Sequence, residues 1–165
     1  MLFRSEEGAA HGERIKQWTN YPARLATLAD VYRDAGRQAE AEATGRRAVA
    51  LAVEQRRPPD EAIALHILGR ITDDETTLIK ARDLAASLGM RPQVAHCHSD
   101  LGVLYGNAGR EAEARQHLAT AESMYRELHT PIWLARMEQR LGGLRQRLYE
   151  LSLGFLILGL QNLML

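Results

Sequence analysis

Two segments of this chain carry the same order of small, aromatic and turn residues, and this repeat constrains the fold more than any other feature. Each segment has a leucine, a small residue, a tyrosine, a glycine and two alanines at matching spacings. The marks are Leu28, Ala29, Tyr32, Gly36, Ala41 and Ala48 in the first segment, and Leu101, Gly102, Tyr105, Gly109, Ala114 and Ala121 in the second. Every pair has the same offset, about two units of roughly 34 to 40 residues, which is the period of helical-hairpin repeats.

Each mark has a physical role in a helical hairpin. The small residue lets the backbones of two crossing helices approach closely, and the tyrosine lies on the same helix face three to four residues after the leucine. The glycine ends the first helix, because glycine takes the left-handed conformation without penalty. The alanines lie on the inner face of the second helix. The chain is therefore predicted to be all-α.

A degenerate unit lies between the two matching segments. Leu68 and Gly69 repeat the leucine-small pair, and Asp60 after two prolines is predicted to cap a helix. The stretch 72–77 is short and polar, and the helix after it is predicted to be about two turns shorter than its neighbours. Three hairpins with flanking helices are expected.

Caps and helix breakers divide the chain into segments. Helices are predicted over 9–19, 22–35, 38–56, 60–72, 75–88, 92–108, 111–128 and 131–147. The expected organisation is a frayed segment or remnant helix at 1–20, a helical array at 21–147, and an apolar helix or tail at 148–165.

The repeated pattern over roughly 22–141 resembles the tetratricopeptide repeat family. The resemblance implies a right-handed superhelical array, or solenoid, of antiparallel helix hairpins whose first helices line a concave binding face. Gly45 departs from the family pattern, which prefers an aromatic residue there, whereas Leu118 fills that place in the last hairpin. His98 stands where the family has a bulky apolar residue.

A closer resemblance covers about 65–141 and is carried by the runs 87–98, 117–121 and 124–128. These runs are similar to the tetratricopeptide tail of bacterial signalling proteins that also contain an adenylate or guanylate cyclase domain and an ATPase domain. The chain itself contains no Gly-x-x-x-x-Gly-Lys-Ser/Thr phosphate loop. The resemblance implies a tail fragment, or a stand-alone relative, without the catalytic parts.

Charge and cysteine content narrow the function classes. Lys plus Arg and Asp plus Glu are balanced at 21 each among 165 residues, so no broad field attracts nucleic acid. A single cysteine, Cys97, cannot form an internal disulfide, which suits a reducing cytoplasmic compartment. The first residues are too polar for a signal peptide. The basic pairs 46–47 and 56–57 are too short for a nucleic-acid stripe.

Histidine and cysteine lie together in 96–98, but residues two apart on a helix point in different directions, so His96 and His98 cannot chelate one ion. His96 and Asp100, four apart, could share one, yet zinc normally needs three or four ligands. Cys97 is expected to be a buried small residue rather than a catalytic thiol. The acidic run 73–75 is expected to cap a helix. No metal, cofactor or catalytic group is predicted, and the chain is expected not to be an enzyme.

The candidate binding residues are polar positions of the first helices that helical phase places outside the core and the turns. They are Asp30, Arg33, Asp34, His66, Arg70, Ser99 and Asn107. Solvated surface residues are the alternative interpretation. The leading hypothesis is a regulatory module that binds a protein or peptide, or other domains of a parent protein. A sensor that binds a small molecule in the groove comes second, and a small helical enzyme third.

The last segment, 148–165, is apolar nearly all round but contains Glu150, Gln161, Asn162 and two glycines. A membrane helix needs about 20 apolar residues, so no membrane span is expected. Three interpretations stay open: a terminal helix packed on the last hairpin, a surface for self-association, or a foreign tail.

Overall fold

The computed structural model describes residues 21–129, 132, 133 and 135 of the chain. Within them lie six successive helices and no strand. They are α1 (Tyr21–Asp34), α2 (Gln38–Glu54), α3 (Pro58–Thr72), α4 (Glu75–Ser87), α5 (Arg91–Asn107) and α6 (Glu111–Glu127). The predicted all-α class and the six predicted helices that fall in this range are confirmed. Residues 132, 133 and 135 are helical as predicted; the predictions for 1–20 and 148–165 lie outside the described residues.

Each helix packs against the next one along the chain, and the connections between them are only two or three residues long. Short connections return the chain directly on itself, so α1–α2, α3–α4 and α5–α6 form three hairpins. The first helices of neighbouring hairpins also contact one another, α1 with α3 and α3 with α5. The arrangement is that of neighbouring hairpins packed side by side.

The same left-handed turn ends each of the six helices. Gly36, Gly89 and Gly109 have φ values of 73°, 69° and 74°, and the non-glycine residues Arg56, Asp73 and His129 have φ values of 50° to 51°. At the first five of these turns, the amide after the left-handed residue donates to the carbonyl five residues back, for example Arg37 N to Tyr32 O at 2.9 Å. This bond satisfies a carbonyl that the helix leaves unpaired. The predicted roles of Gly36 and Gly109 are confirmed.

The repeat marks form the interior. Tyr32 and Tyr105 are 8% and 4% exposed, and neither points into solvent. Leu28, Ala29, Ala41, Ala48, Gly69, Leu101, Gly102, Ala114 and Ala121 are also buried, while Leu68 is half-buried. A Cβ atom added to Gly102 would lie 2.5 Å from Leu118 Cγ, so this small residue does sit at a helix crossing.

Two local predictions for the middle unit were wrong. Helix α4 has 13 residues against 17 in α2 and α6, so it is shorter by about one turn rather than two. Asp60 does not cap α3, because the helix already begins at Pro58 and its cap residue is Arg57. Proline suits the first turn of a helix, and Asp60 instead forms an ion pair with Arg57 from within that turn.

Candidate functional site

A line of charged side chains crosses the first helices of the three hairpins. Asp30 of α1 is the meeting point of two arginines: its Oδ1 lies 3.1 Å from Arg33 Nη2 and 3.4 Å from Arg70 Nη2 of α3. Arg33 also donates to Asp34 Oδ1 from Nη2 at 2.8 Å. Opposite charges on adjacent helices thus connect α1 to α3.

The line continues from α3 to α5 through Asp100. Its Oδ2 lies 3.4 Å from Arg70 Nε and 2.7 Å from His66 Nε2. The His66 and Asp100 side chains are only 7% and 11% exposed. A hydrogen bond this short and this well shielded from water is stronger than the exposed pairs elsewhere on the surface.

A groove of about 230 Å³ opens beside these charges. Its polar lining consists of Arg33, Arg70, Asp73 and Asp100, and its apolar lining consists of Leu78, Val103 and Leu104.

Three residues at this site occupy the same position in successive hairpins. Each directly follows the small residue of its repeat: Asp30 follows Ala29, Arg70 follows Gly69, and Val103 follows Gly102. The repeat itself therefore brings these positions together.

The structure brings some of the predicted binding residues together and separates others. The charged line brings together Asp30, Arg33 and Arg70, and the two arginines also line the groove. Asp34 and Asn107 are exposed at the ends of their helices. His66 and Ser99 were predicted to lie outside the core, and this is wrong because they are buried at 6% and 3% exposure. The reason is that these two helices are packed on several sides, since α3 contacts α1, α2, α4 and α5, and α5 contacts α3, α4 and α6.

Sequence reasoning missed Asp100 as a groove residue and considered it only as a partner of His96. Helical spacing favours a neighbour four residues away, but the histidine that Asp100 contacts, His66, comes from a different helix. His96 Nδ1 instead lies 2.7 Å from Tyr125 Oη of α6. Asp73 and Leu78 were missed as well, because candidates were sought only on first helices, whereas Asp73 lies in the connection after α3 and Leu78 lies in α4.

The remaining chemical candidates have structural roles. Cys97 is fully buried, as expected, and burial raises the pKa of its thiol to about 12. Asp74 caps α4 by accepting from the amides of Thr76 and Thr77 at 3.1 and 3.2 Å. The Asp74 pKa is lowered, first by the hydroxyl of Thr77. The expected N-capping role of the acidic run is confirmed for Asp74.

Glu75, the last residue of that run, connects two hairpins. It accepts from Tyr105 Oη at 2.9 Å and from Arg110 Nη1 at 2.7 Å. These bonds lower the Glu75 pKa, with the Arg110 bond as the larger cause. The Arg110 guanidinium also stacks 4.1 Å from the centre of the Tyr105 ring. Tyr105 is thus contacted by Glu75 at its hydroxyl group and by Arg110 over its ring.

No helix in the described part of the chain is both long and apolar enough to cross a bilayer. Comparison with models of protein families found no match, and comparison with curated proteins found no significantly similar sequence.

Proposed function

We propose that 21–147 form a tetratricopeptide-like, right-handed superhelical array that binds a protein or peptide partner through the face of its first helices. In this proposal the module is regulatory and non-catalytic, and it acts in the cytoplasm. The partner is a separate protein or another domain of a larger bacterial signalling protein of the ATPase or cyclase type.

The observation that supports the proposal best is the groove beside the charged line. Three first helices contribute to it, and its lining combines two arginines and two aspartates with three apolar side chains. A surface that offers both charge and apolar area suits an extended peptide, because apolar contact supplies affinity and charge sets the register.

The ion pairs at this site bear on whether a partner's carboxylate could bind its two arginines. The Arg33 partner Asp34 has a side chain that is 69% exposed, and exposed pairs contribute only about 0 to 1 kcal/mol. Both ion pairs of Arg70 are 3.4 Å long, beyond the roughly 2.7 to 2.9 Å of a strong charge-assisted bond. A carboxylate from a partner can therefore replace Asp34 at Arg33 at little cost, whereas at Arg70 it would join Asp30 and Asp100, whose side chains are only 29% and 11% exposed. Its apolar neighbour would contact Val103 and Leu104, which are half-buried, because Leu78 is only 1% exposed.

Selection from a random peptide library displayed on phage tests the proposal. Peptides selected on the unaltered chain should carry an acidic and an apolar residue close together. They should bind Arg70→Ala and Arg33→Ala at least about tenfold more weakly. Arg46→Ala is the matched control, because Arg46 forms an ordinary exposed pair with Glu42 of α2 and should leave binding unchanged. Equal binding to all three variants would refute the groove as the binding site.

The second candidate is a sensor that binds a small molecule in the same groove. A volume of about 230 Å³ lies just under the range of roughly 300 to 1,000 Å³ typical of drug-sized ligands, so the ligand would be a small metabolite. A thermal-shift screen distinguishes the two functions, because a ligand that binds only the folded state raises the melting temperature.

Self-association through 148–165 is a further proposal. Sedimentation of the chain with and without that segment tests it.

A further inference from the structure

Two histidines meet in the interface between α5 and α6, away from the groove. His98 and His117 face each other with their Nδ1 atoms 3.1 Å apart. Their ring centres are 4.9 Å apart, and the ring planes differ by 35°. Both side chains are half-buried. Neither the repeat nor the groove explains why histidine occupies the apolar position at 98.

Both rings are neutral near pH 7. Burial, and then the proximity of His117, lower the pKa of His98 to about 4. Burial, and then the Arg82 charge, lower the pKa of His117 as well. Neutral imidazole is the form that binds metal ions, because one ring nitrogen keeps its lone pair. Without metal, the Nδ1–H of one ring donates to Nδ1 of the other, and metal binding would place both ring protons on Nε2 so that both Nδ1 lone pairs are available.

We propose that His98 and His117 bind one divalent transition-metal ion, such as zinc, through their Nδ1 atoms, with water completing the coordination. Zinc–nitrogen bonds of about 2.0 to 2.1 Å at a tetrahedral angle place two nitrogens roughly 3.3 Å apart. The observed 3.1 Å needs only a small adjustment.

The surroundings set the strength of the site. Arg82 of α4 opposes a cation, but it forms an ion pair with Asp83 at 2.7 Å. Glu113 and Glu75 add negative charge near His117 and are both paired with Arg110. In the part of the chain that the structure describes, no group of three or more His, Cys, Asp or Glu could hold a metal. Two protein ligands with water therefore define a site weaker than the three- and four-ligand sites usual for zinc.

Metal binding would join α5 to α6. Because the two ligands lie 19 residues apart in sequence and meet only in the folded hairpin, the ion favours the folded state. The metal would therefore stabilise the last hairpin without occupying the groove, and the proposal is independent of the partner.

The experiment uses the full chain without an affinity tag, treated with chelator and then titrated with zinc chloride. We expect saturable binding of one ion and a melting temperature that rises with zinc concentration. His98→Gln and His117→Gln should each weaken binding by on the order of tenfold or more and remove most of the rise. His129→Ala is the matched control, because His129 lies outside the pair and should leave both readouts unchanged.

A second measurement uses the unaltered protein, so its result does not depend on whether the variants fold. X-ray absorption at the zinc edge of the unaltered protein should show two imidazole nitrogens with oxygen ligands and no sulfur, since Cys97 is fully buried. An unchanged zinc response in His117→Gln would overturn the proposal. So would the absence of binding at millimolar zinc, or a spectrum with one imidazole or none.

Discussion

His66 of α3 and Asp100 of α5 form a hydrogen bond of 2.7 Å between two first helices, and both side chains are almost entirely shielded from water. The two residues are 34 positions apart and belong to different hairpins. This bond therefore holds one hairpin against the next rather than one helix against its partner.

Loss of this bond should loosen the contact between hairpins. Asp100→Ala leaves His66 Nε2 without this acceptor and removes one ion pair of Arg70. We expect the free energy of unfolding to fall by about 1 to 3 kcal/mol, as for other buried groups that lose a partner. Urea denaturation followed by circular dichroism measures the change.

Glu111→Ala is the control for this prediction. It removes an exposed pair with Arg115 four residues away, and such pairs contribute less than about 1 kcal/mol. A double-mutant cycle with His66→Ala isolates the coupling. Equal losses in Asp100→Ala and Glu111→Ala would contradict the role assigned to the buried bond.

The small residue at the crossing of α5 and α6 should not tolerate even a methyl group. Gly102→Ala places Cβ 2.5 Å from Leu118 Cγ and 3.2 Å from the Ala114 carbonyl oxygen, so the helices must separate. A loss of about 1 to 3 kcal/mol is expected from overpacking. Thermal unfolding of the purified variant provides the measurement.

Gly45→Ala is the comparison for Gly102→Ala, since both add one methyl group inside a helix. The nearest atom to its new Cβ is the end of the Leu68 side chain at 3.2 Å, which can move by a few tenths of an ångström. Alanine also favours the helix over glycine by up to about 1 kcal/mol. Gly45→Ala should thus be near neutral or stabilising, and an equal loss in both variants would be evidence against a tight crossing at Gly102.

The cap of α4 makes a pH-dependent contribution. Asp74→Ala removes the acceptor for two amides and should cost about 1 kcal/mol near neutral pH. Because the folded-state pKa of Asp74 is lowered from 3.8, the stabilisation is present above that value and is lost as the pH falls below it. The difference in melting temperature between the two proteins should therefore shrink in acid. Asp74→Asn, which still caps, should show little of this pH dependence.

Cys97 should be unreactive in the folded chain. Its pKa of about 12, against a usual value of 9.0, lowers the thiolate fraction by about a thousandfold near pH 8. Alkylation by iodoacetamide, followed by mass spectrometry, should be negligible at pH 8 without denaturant and rapid in guanidinium. Fast labelling of the folded chain would show that the α5 interior opens readily.

The sequence predicted the helices well because their limits depend on local chemistry. Helices predicted at 22–35 and 38–56 are observed at Tyr21–Asp34 and Gln38–Glu54. Glycine turns and small crossing residues act within one hairpin, so their roles could be assigned from spacing alone. The burial of Tyr32 follows from the same pattern.

The candidate site was predicted only in part, because its contacts join different hairpins. Helical phase correctly grouped Asp30 with Arg33, which lie on one helix. It could not show that Arg70 contacts Asp30 or that His66 contacts Asp100. Those pairs depend on how far one hairpin is shifted along the next, and spacing within a helix does not determine that shift.

The turn after α3 has one further consequence. Asp73 takes a left-handed conformation with a φ of 50°, which costs a non-glycine residue on the order of 1 kcal/mol, and it also lines the groove. Glycine there would relieve the backbone but would remove a carboxylate from the groove. Under the proposed binding function, selection for a stable fold and selection for a partner would thus favour different residues at one position, with aspartate giving a less stable turn but a negative charge in the groove that Arg70 also lines.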